Sequence, residues 1–167
     1  MVKNLEYPLE RVLDIKKRRV EAAEKVVKEK QQELAQEEEK LRQCEEERDK
    51  VIQHRLDKLN QLRDELDHGT TSPKIIQMKV YIKVVEERVT VEEKKVEDQK
   101  EQVRTAERNL EMAKEDLRLK RQEVDKLKTH REDWLKEKQR ELEREEEKEM
   151  DEIGQVMFGF HKRLEER

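Results

Sequence analysis

Histidines and clustered carboxylates are the side chains of this sequence that could do chemistry, as metal ligands or as acid–base groups. The histidines are His54, His68, His130 and His161. They are far apart, and none has a second His or Cys at metal-ligand spacing. The acidic runs QEEEKLRQCEEERD (36–49) and EREEEKEMDE (143–152) contain many paired carboxylates. A catalytic pair needs a concave, water-poor site that shifts its pKa values, and a glycine-rich phosphate loop is missing as well. The sequence therefore predicts no enzyme, no metal site and no cofactor.

The composition limits which elements could position any functional residue. Half of the 167 residues are Asp, Glu, Lys or Arg, and only 3% are aromatic. Such a chain is either disordered or a long helix with a narrow apolar stripe. The net charge of −4 arises from interspersed signs, which argues against nucleic acid as a partner. No apolar run approaches the ~20 residues that span a bilayer, and no signal peptide is recognisable. We therefore expect a cytoplasmic protein without membrane insertion.

The second half of the chain repeats apolar residues at strict intervals of seven. The first frame is Ile82, Val89, Val96, Val103, Leu110, Leu117 and Val124. The companion frame is Met78, Val85, Ala106, Ala113, Leu127 and Trp134, with polar lapses between them. Disorder does not produce such a period, so the pattern predicts the a/d seam of a coiled coil.

The first half carries a similar but less regular repeat. Its frames are Leu13, Val20, Val27, Leu34 and Leu41, with Leu9, Ala23 and Cys44 as companions. Ile52, Leu59 and Leu66 resume the pattern after an eleven-residue step, which predicts a stutter. Cys44 on the seam reads as a small apolar layer residue rather than a reactive thiol.

A turn interrupts the helical pattern at DHGTTSPK (67–74). Gly69 suits the position after a helix end, while Ser72 and Pro73 suit the N-cap and first position of the next helix. Folding the chain about residue 70 brings the two frames face to face, with Leu13 opposite Leu127 and Arg48 opposite Glu92. The alternative is a kinked rod that dimerises in parallel. In such a rod, the apolar positions of the two halves would not have to match when the chain is folded at residue 70.

The agreement of the frames predicts an all-α fold, a long antiparallel two-helix coiled-coil hairpin with unequal arms. We expect a single domain over 1–167, with helix 1 over about 8–67, the turn over about 68–72 and helix 2 over about 73–165. The C-terminal overhang of about 135–167 then has no facing helix. Gly154 and Gly159 weaken its helix by about 1 kcal/mol each relative to Ala.

Two exposed apolar surfaces follow from this hairpin. In the overhang the predicted partner-binding residues are Met150, Ile153, Met157, Phe158, Phe160 and Leu164. At the hairpin tip they are Ile75, Ile76, Val80 and Tyr81. A homodimer contact or a frayed terminus is the alternative for the overhang. Trp134 is expected to cap the seam against Leu5 or Tyr7, with a partner contact as the alternative.

The opening YPLERVLDIKKRRVEAAEKVVKEKQQEL (7–34), followed by an unequal hairpin, resembles the YscO family of type III secretion proteins, its chlamydial member in particular. The N-terminal family motif is Tyr7, Pro8, Leu9, Val12 and Leu13. The resemblance implies a cytoplasmic stalk like flagellar FliJ, at the cytoplasmic face of the bacterial inner membrane. Its implied partners are a hexameric secretion ATPase, an export gate protein and export chaperones. By the same analogy, the paired termini enter the ATPase ring and the tip faces the gate.

A different class of function stays open at this point. The chain could be a passive coiled-coil spacer or a chaperone-like clamp without an ATPase partner. A stalk must form a complex with its ATPase or change its turnover, whereas a spacer does neither.

Overall fold

The computed structural model describes residues 5–165 and contains two helices in that range. Helix α1 spans Glu10–His68 and helix α2 spans Ser72–Glu165, and the described residues form no strand. The predicted all-α helical hairpin is confirmed. The ends of the predicted domain, 1–4 and 166–167, lie outside the described residues. Packing divides the chain into unit 1, Met1–Ala22 with Leu117–Arg167, and unit 2, Ala23–Asp116. The single domain therefore stays a prediction.

The turn between the helices is built by Gly69 and Thr71. Gly69 has a φ of 81°, in the left-handed region that only glycine adopts without strain, and it follows the last residue of α1. The carbonyl of Thr71 accepts hydrogen bonds from the backbone N–H groups of Lys74 at 3.1 Å and Ile75 at 3.2 Å. Thr71 is therefore the N-cap, one residue before the predicted Ser72. Pro73 takes the second helical position, where its missing N–H would have had no partner in the helix.

Antiparallel contacts run through unit 2. Near the turn, the Lys74 Nζ lies 3.0 Å from the Glu65 carboxylate. Further along, the His54 Nε2 and the Tyr81 hydroxyl are 3.0 Å apart. Beyond these, the Gln99 amide donates to the Glu37 carboxylate at 2.6 Å. In these pairs the residue numbers rise along α2 as they fall along α1. The two segments therefore run in opposite directions within one chain, unlike the helices of a parallel rod.

The core of unit 2 lies along the seven-residue frames of α2. Val85 and Val89 pack with Val51 of α1, and Ile52 lies against this cluster. The predicted first-frame residues of α2 in unit 2 are all buried: Ile82, Val89, Val96, Val103 and Leu110. A narrow apolar stripe on α2 thus forms one side of the core of unit 2.

The predicted stutter after Leu41 is wrong. Leu66 is 49% exposed, whereas Val51 and Leu62 are buried. Leu62 continues the unbroken seven-residue spacing from Leu41, because Arg48 and Arg55 occupy the intervening seam positions and are half-buried there. An arginine stem can lie along apolar neighbours, and at Arg55 the Nε is buried as well. Both arginines therefore fill seam positions, and the seven-residue spacing does not shift.

The predicted pair between Arg48 and Glu92 does not form. Arg48 pairs with its neighbour Asp49 at 3.1 Å, and Glu92 pairs with Lys95, one turn along α2, at 3.0 Å. Local partners on the same helix satisfy both charges, so nothing draws the two heads together across the seam.

Unit 1 pairs the start of α1 with the middle of α2. Leu13 is 0% exposed, and Leu117 and Val124 are buried on α2. Lys16 reaches Glu123 at 2.6 Å across this pair of helices. Leu9 was predicted on the companion frame but is 38% exposed, because it precedes the first helical residue Glu10.

Candidate functional site

Three of the four histidines, His54, His68 and His130, form hydrogen bonds within the chain. In residues 5–165, no group of three or more His, Cys, Asp or Glu side chains could hold a metal ion. His68 bonds through Nδ1 to the Asp64 carbonyl at 2.7 Å, near the end of α1. In the first acidic run, Lys40 hydrogen-bonds to Glu37 and, with Gln99, holds its pKa below the ordinary value. A general acid needs a raised pKa, so this carboxylate is suited to ion pairing.

The overhang has the most exposed apolar surface of unit 1. All of its predicted partner-binding residues are exposed by more than half, namely Met150, Ile153, Met157, Phe158, Phe160 and Leu164. Val156, which the sequence analysis did not single out, is exposed as well. A Cβ built on Gly154 or on Gly159 meets nothing within 4 Å. Among the described residues of unit 1, the apolar side chains of this segment are thus left uncovered.

The apolar stripe of the overhang does not continue the seam of the hairpin. Extending the seam frames of α2 in steps of seven leads only to polar residues and a glycine: Glu145, Lys148, Glu152, Gln155, Gly159 and Lys162. The stripe Met150, Ile153, Met157, Phe160 and Leu164 follows its own alternation of three and four residues, on another face of the helix. Phe158 lies off this stripe. The exposed stripe therefore does not continue the frame that packs against α1.

The hairpin tip carries a second exposed apolar surface, within unit 2. Ile75 is half-buried, while Ile76 and Val80, one turn apart on α2, are exposed. Val84 and Val91 extend the exposed face along the same helix. The sequence prediction missed these two valines. Val84 lies four residues after Val80, and Val91 lies seven residues after Val84, so their spacing could have indicated a shared helix face.

Tyr81 is held at the tip by two side chains of α1. His54 meets it edge-on, with ring centroids 6.0 Å apart, and the Lys58 Nζ lies 5.5 Å from the tyrosine ring centroid. Both contacts leave the tyrosine nearly half exposed. Lys58, Lys74, Met78 and Tyr81 contribute to a shallow groove of about 340 Å³. The groove combines an aromatic ring with two cations, which differs from the apolar overhang.

The N-terminal motif splits into packing residues and exposed residues. Tyr7 and Leu13 are buried, whereas Pro8, Leu9 and Val12 are exposed. Tyr7 packs edge-on against Trp134, with ring centroids 5.7 Å apart, and its hydroxyl hydrogen-bonds to the Nδ1 of His130. Trp134 therefore closes the seam against Tyr7, as the sequence predicted.

Comparison with known proteins identifies the family. A family model for YscO-like proteins matches residues 4–164. The chain belongs to the YscO-like family. The solved structure of a YscO homolog, CT670 from Chlamydia trachomatis, is 52% identical to this YscO-like chain. It superposes with a TM-score of 0.90 and covers 95% of this chain and 98% of its own.

A second solved structure is the complex of CdsV and CdsO from Chlamydia pneumoniae. A chain of that complex is 52% identical over 50% of this YscO-like chain and 98% of its own, with a TM-score of 0.48. No curated protein is significantly similar to this chain in sequence.

Family membership confirms the resemblance drawn from residues 7–34 and makes this YscO-like chain a type III secretion protein. Within the described part of the chain, neither helix has a stretch apolar and long enough to cross a membrane.

Proposed function

We propose that this YscO-like protein is the non-enzymatic central stalk of a type III secretion export apparatus. It works at the cytoplasmic face of the bacterial inner membrane, where its overhang contacts the hexameric secretion ATPase and its tip contacts the export gate protein. Export chaperones bind it transiently. The observation that carries this proposal is the overhang: an exposed apolar stripe whose frame differs from that of the intrachain seam.

The overhang has enough apolar surface to drive association. Burying a Met, Ile, Phe or Leu side chain stabilises a complex by about 1.5–3 kcal/mol each. The stripe presents five such residues on one face, Met150, Ile153, Met157, Phe160 and Leu164. Part of this energy must order a helix that Gly154 and Gly159 weaken, so the segment binds best to a partner with a preformed apolar groove.

The tip suits a different partner. Ile76 and Val80 offer a smaller apolar patch, and Lys58 and Lys74 line the adjoining groove beside Tyr81. Cations at the rim of an apolar patch favour a partner with acidic residues around its own contact surface. A stalk with chemically different surfaces in its two units can bind two different proteins, each selectively at its own surface.

The test is a chain that stops after Glu147. It retains the contacts of Tyr7 with Trp134 and of Lys16 with Glu123, so circular dichroism should show a folded hairpin. We expect it to lose binding to the purified cognate ATPase and any effect on ATP turnover. The matched control is Ile76→Asp with Val80→Asp in the full chain, which should keep ATPase binding and lose gate binding.

The outcomes separate the stalk from a passive spacer. If the full chain forms no complex with the ATPase and leaves its oligomeric state and turnover unchanged, the spacer or chaperone-like clamp is the correct function. If the truncated chain binds the ATPase as well as the full chain does, the contact lies outside the overhang.

A further inference from the structure

Four of the five stripe residues, all except Leu164, are spaced symmetrically under reversal of the chain direction. Met150, Ile153, Met157 and Phe160 are separated by three, four and three residues, so the pattern reads the same from either end about position 155. A second copy lying antiparallel would therefore place Met150 opposite Phe160 and Ile153 opposite Met157. These are the a-to-d pairings that an antiparallel coiled coil uses.

The residues that flank the stripe are complementary in the same register. On one side Glu149 of each copy lies beside Arg163 of the other, and on the other side Glu147 lies beside His161. A parallel pair would instead align the acidic run 143–152 of one copy with that of the other, and like charges would repel. Charge complementarity therefore selects the antiparallel arrangement.

The centre of this arrangement permits close approach. Gly154 faces its own equivalent across the two-fold axis, and a Cβ on it meets nothing in its own chain. Val156 faces its equivalent on the opposite flank and is exposed in the single chain. Small and apolar flanks at the axis let two helices pack with few voids.

We propose that the overhang pairs antiparallel with the overhang of a second copy of this chain, over Glu147–Arg163. The pairing fits the available length, because it ends well before Trp134, where Tyr7 packs on α2. Four stripe residues per copy make a small interface, so the dimer is weak and depends on concentration.

This self-pairing goes beyond the stalk function and does not depend on it. The stripe cannot contact the ATPase and a second copy at once, so under both proposals the ATPase dissociates the dimer. The free protein is then held as a pair whose ATPase-binding stripe is covered.

A charge-swap experiment on the full chain tests the proposal by sedimentation equilibrium. Glu149→Arg and Arg163→Glu each replace two attractive pairs in the dimer by two repulsive ones, so each variant alone should dimerise roughly tenfold more weakly. An equimolar mixture of the two variants restores both attractive pairs, and it should dimerise as well as the wild type. A mixture as weak as its components overturns the proposed register.

Hydrophobic substitutions supply the matched control. Met157→Asp places a charge in the centre of the stripe and should abolish the dimer. Phe158→Asp changes the neighbouring residue, which is equally exposed but off the stripe, and should leave the dimer intact. Monomeric wild type up to about 1 mM, the weakest range of specific association, or a dimer indifferent to Met157→Asp, overturns the proposal.

Disulfide formation fixes the direction of pairing. Met150→Cys and Phe160→Cys, each with Cys44→Ser, should cross-link only when the two variants are mixed. In the antiparallel dimer two copies of residue 150 are about 15 Å apart along the helix axis, beyond the reach of a disulfide. Cross-linking within each variant alone indicates parallel pairing and contradicts the proposal. None of these readouts involves the ATPase, so their failure leaves the stalk function to its own test.

Discussion

One helix, α2, behaves in two different ways along its length. In unit 2 its frame residues, such as Val89, are buried against α1, whereas in the overhang residues of similar size, such as Met157, are exposed. Both segments keep a coiled-coil alternation of three and four residues. The difference is the presence of an intrachain partner. The same periodicity therefore accompanies a buried face where α1 lies opposite and an exposed face in the overhang.

The largest difference in stability between the two segments is expected when a charge is placed in each. Val89→Asp buries an unpaired carboxylate in the cluster with Val51 and Val85, and should lower the free energy of unfolding by about 3–5 kcal/mol. Met157→Asp in the overhang should change it by less than about 0.5 kcal/mol. Urea unfolding followed by circular dichroism measures both. Equal losses would mean that the overhang is packed within its own chain.

Two glycines give the next largest effect, with opposite signs. Gly69→Ala forces a Cβ into a left-handed backbone with a φ of 81°, and should lower the free energy of unfolding by about 1–2 kcal/mol. Gly154→Ala adds a methyl group where no atom lies within 4 Å, and should stabilise the local helix by about 1 kcal/mol. Amide hydrogen exchange of residues around 154 checks the second change. Slower exchange is expected there, and faster exchange would contradict an unpartnered helix.

Removing the Tyr7 hydroxyl, where the hairpin seam closes in unit 1, is expected to have a smaller effect. Tyr7→Phe keeps the ring against Trp134 but removes the hydroxyl that bonds to His130, so stability should fall by about 0.5–1.5 kcal/mol. Tyr7→Ala also removes the ring and should lower stability by about 3–5 kcal/mol. Tryptophan fluorescence reports the packing, because Trp134 is the sole tryptophan of the chain. An unchanged emission maximum in Tyr7→Ala would show that the two rings do not pack in solution.

The smallest effect is a pH dependence of one ion pair. A hydrogen bond from Lys16, with the charge of that ammonium, holds the pKa of Glu123 below its ordinary value. A carboxylate with a depressed folded-state pKa stabilises the fold above its unfolded pKa, and this contribution is lost as the pH falls through the folded value. Glu123→Gln should therefore be slightly less stable than the wild type at neutral pH. The two should converge as the pH falls through the folded-state pKa of Glu123. A difference that persists in acid would point to packing instead of charge.

The part of the fold that the sequence predicts is the part where apolar residues occupy consecutive frame positions. Val96 and Leu110 were placed correctly on the seam because their neighbours in the frame are also apolar. On α1 the prediction failed after Leu41, since Arg48 and Arg55 occupy seam positions through their stems. The prediction placed Arg48 on the seam, opposite Glu92, but it did not place Arg55 there. It then shifted the seam to Ile52, which only flanks the core.

The candidate surfaces were predictable to different degrees. The overhang stands out in the sequence because Met150 through Leu164 repeat without an opposing helix to pair with. At the tip, Tyr81 was predicted from its position beside the turn, but its contacts with His54 and Lys58 depend on the register of two helices. Such contacts between the helices depend on the length and conformation of the side chains. The spacing of residues along one helix does not predict them.

The pair formed by Glu37 and Gln99 has a mechanical consequence. Gln99 donates to the Glu37 carboxylate at 2.6 Å and to its backbone carbonyl at 3.0 Å. Valine and leucine layers are nearly interchangeable, so apolar packing alone would resist a seven-residue slide of α2 along α1 only weakly. Such a slide would place Glu37 opposite Glu92 in one direction and opposite Ala106 in the other. In both cases Glu37 would lose the hydrogen bonds from the Gln99 amide. The pair thus fixes the register of the two helices. Under a pulling load, the helices of unit 2 should separate from one another rather than slide along one another.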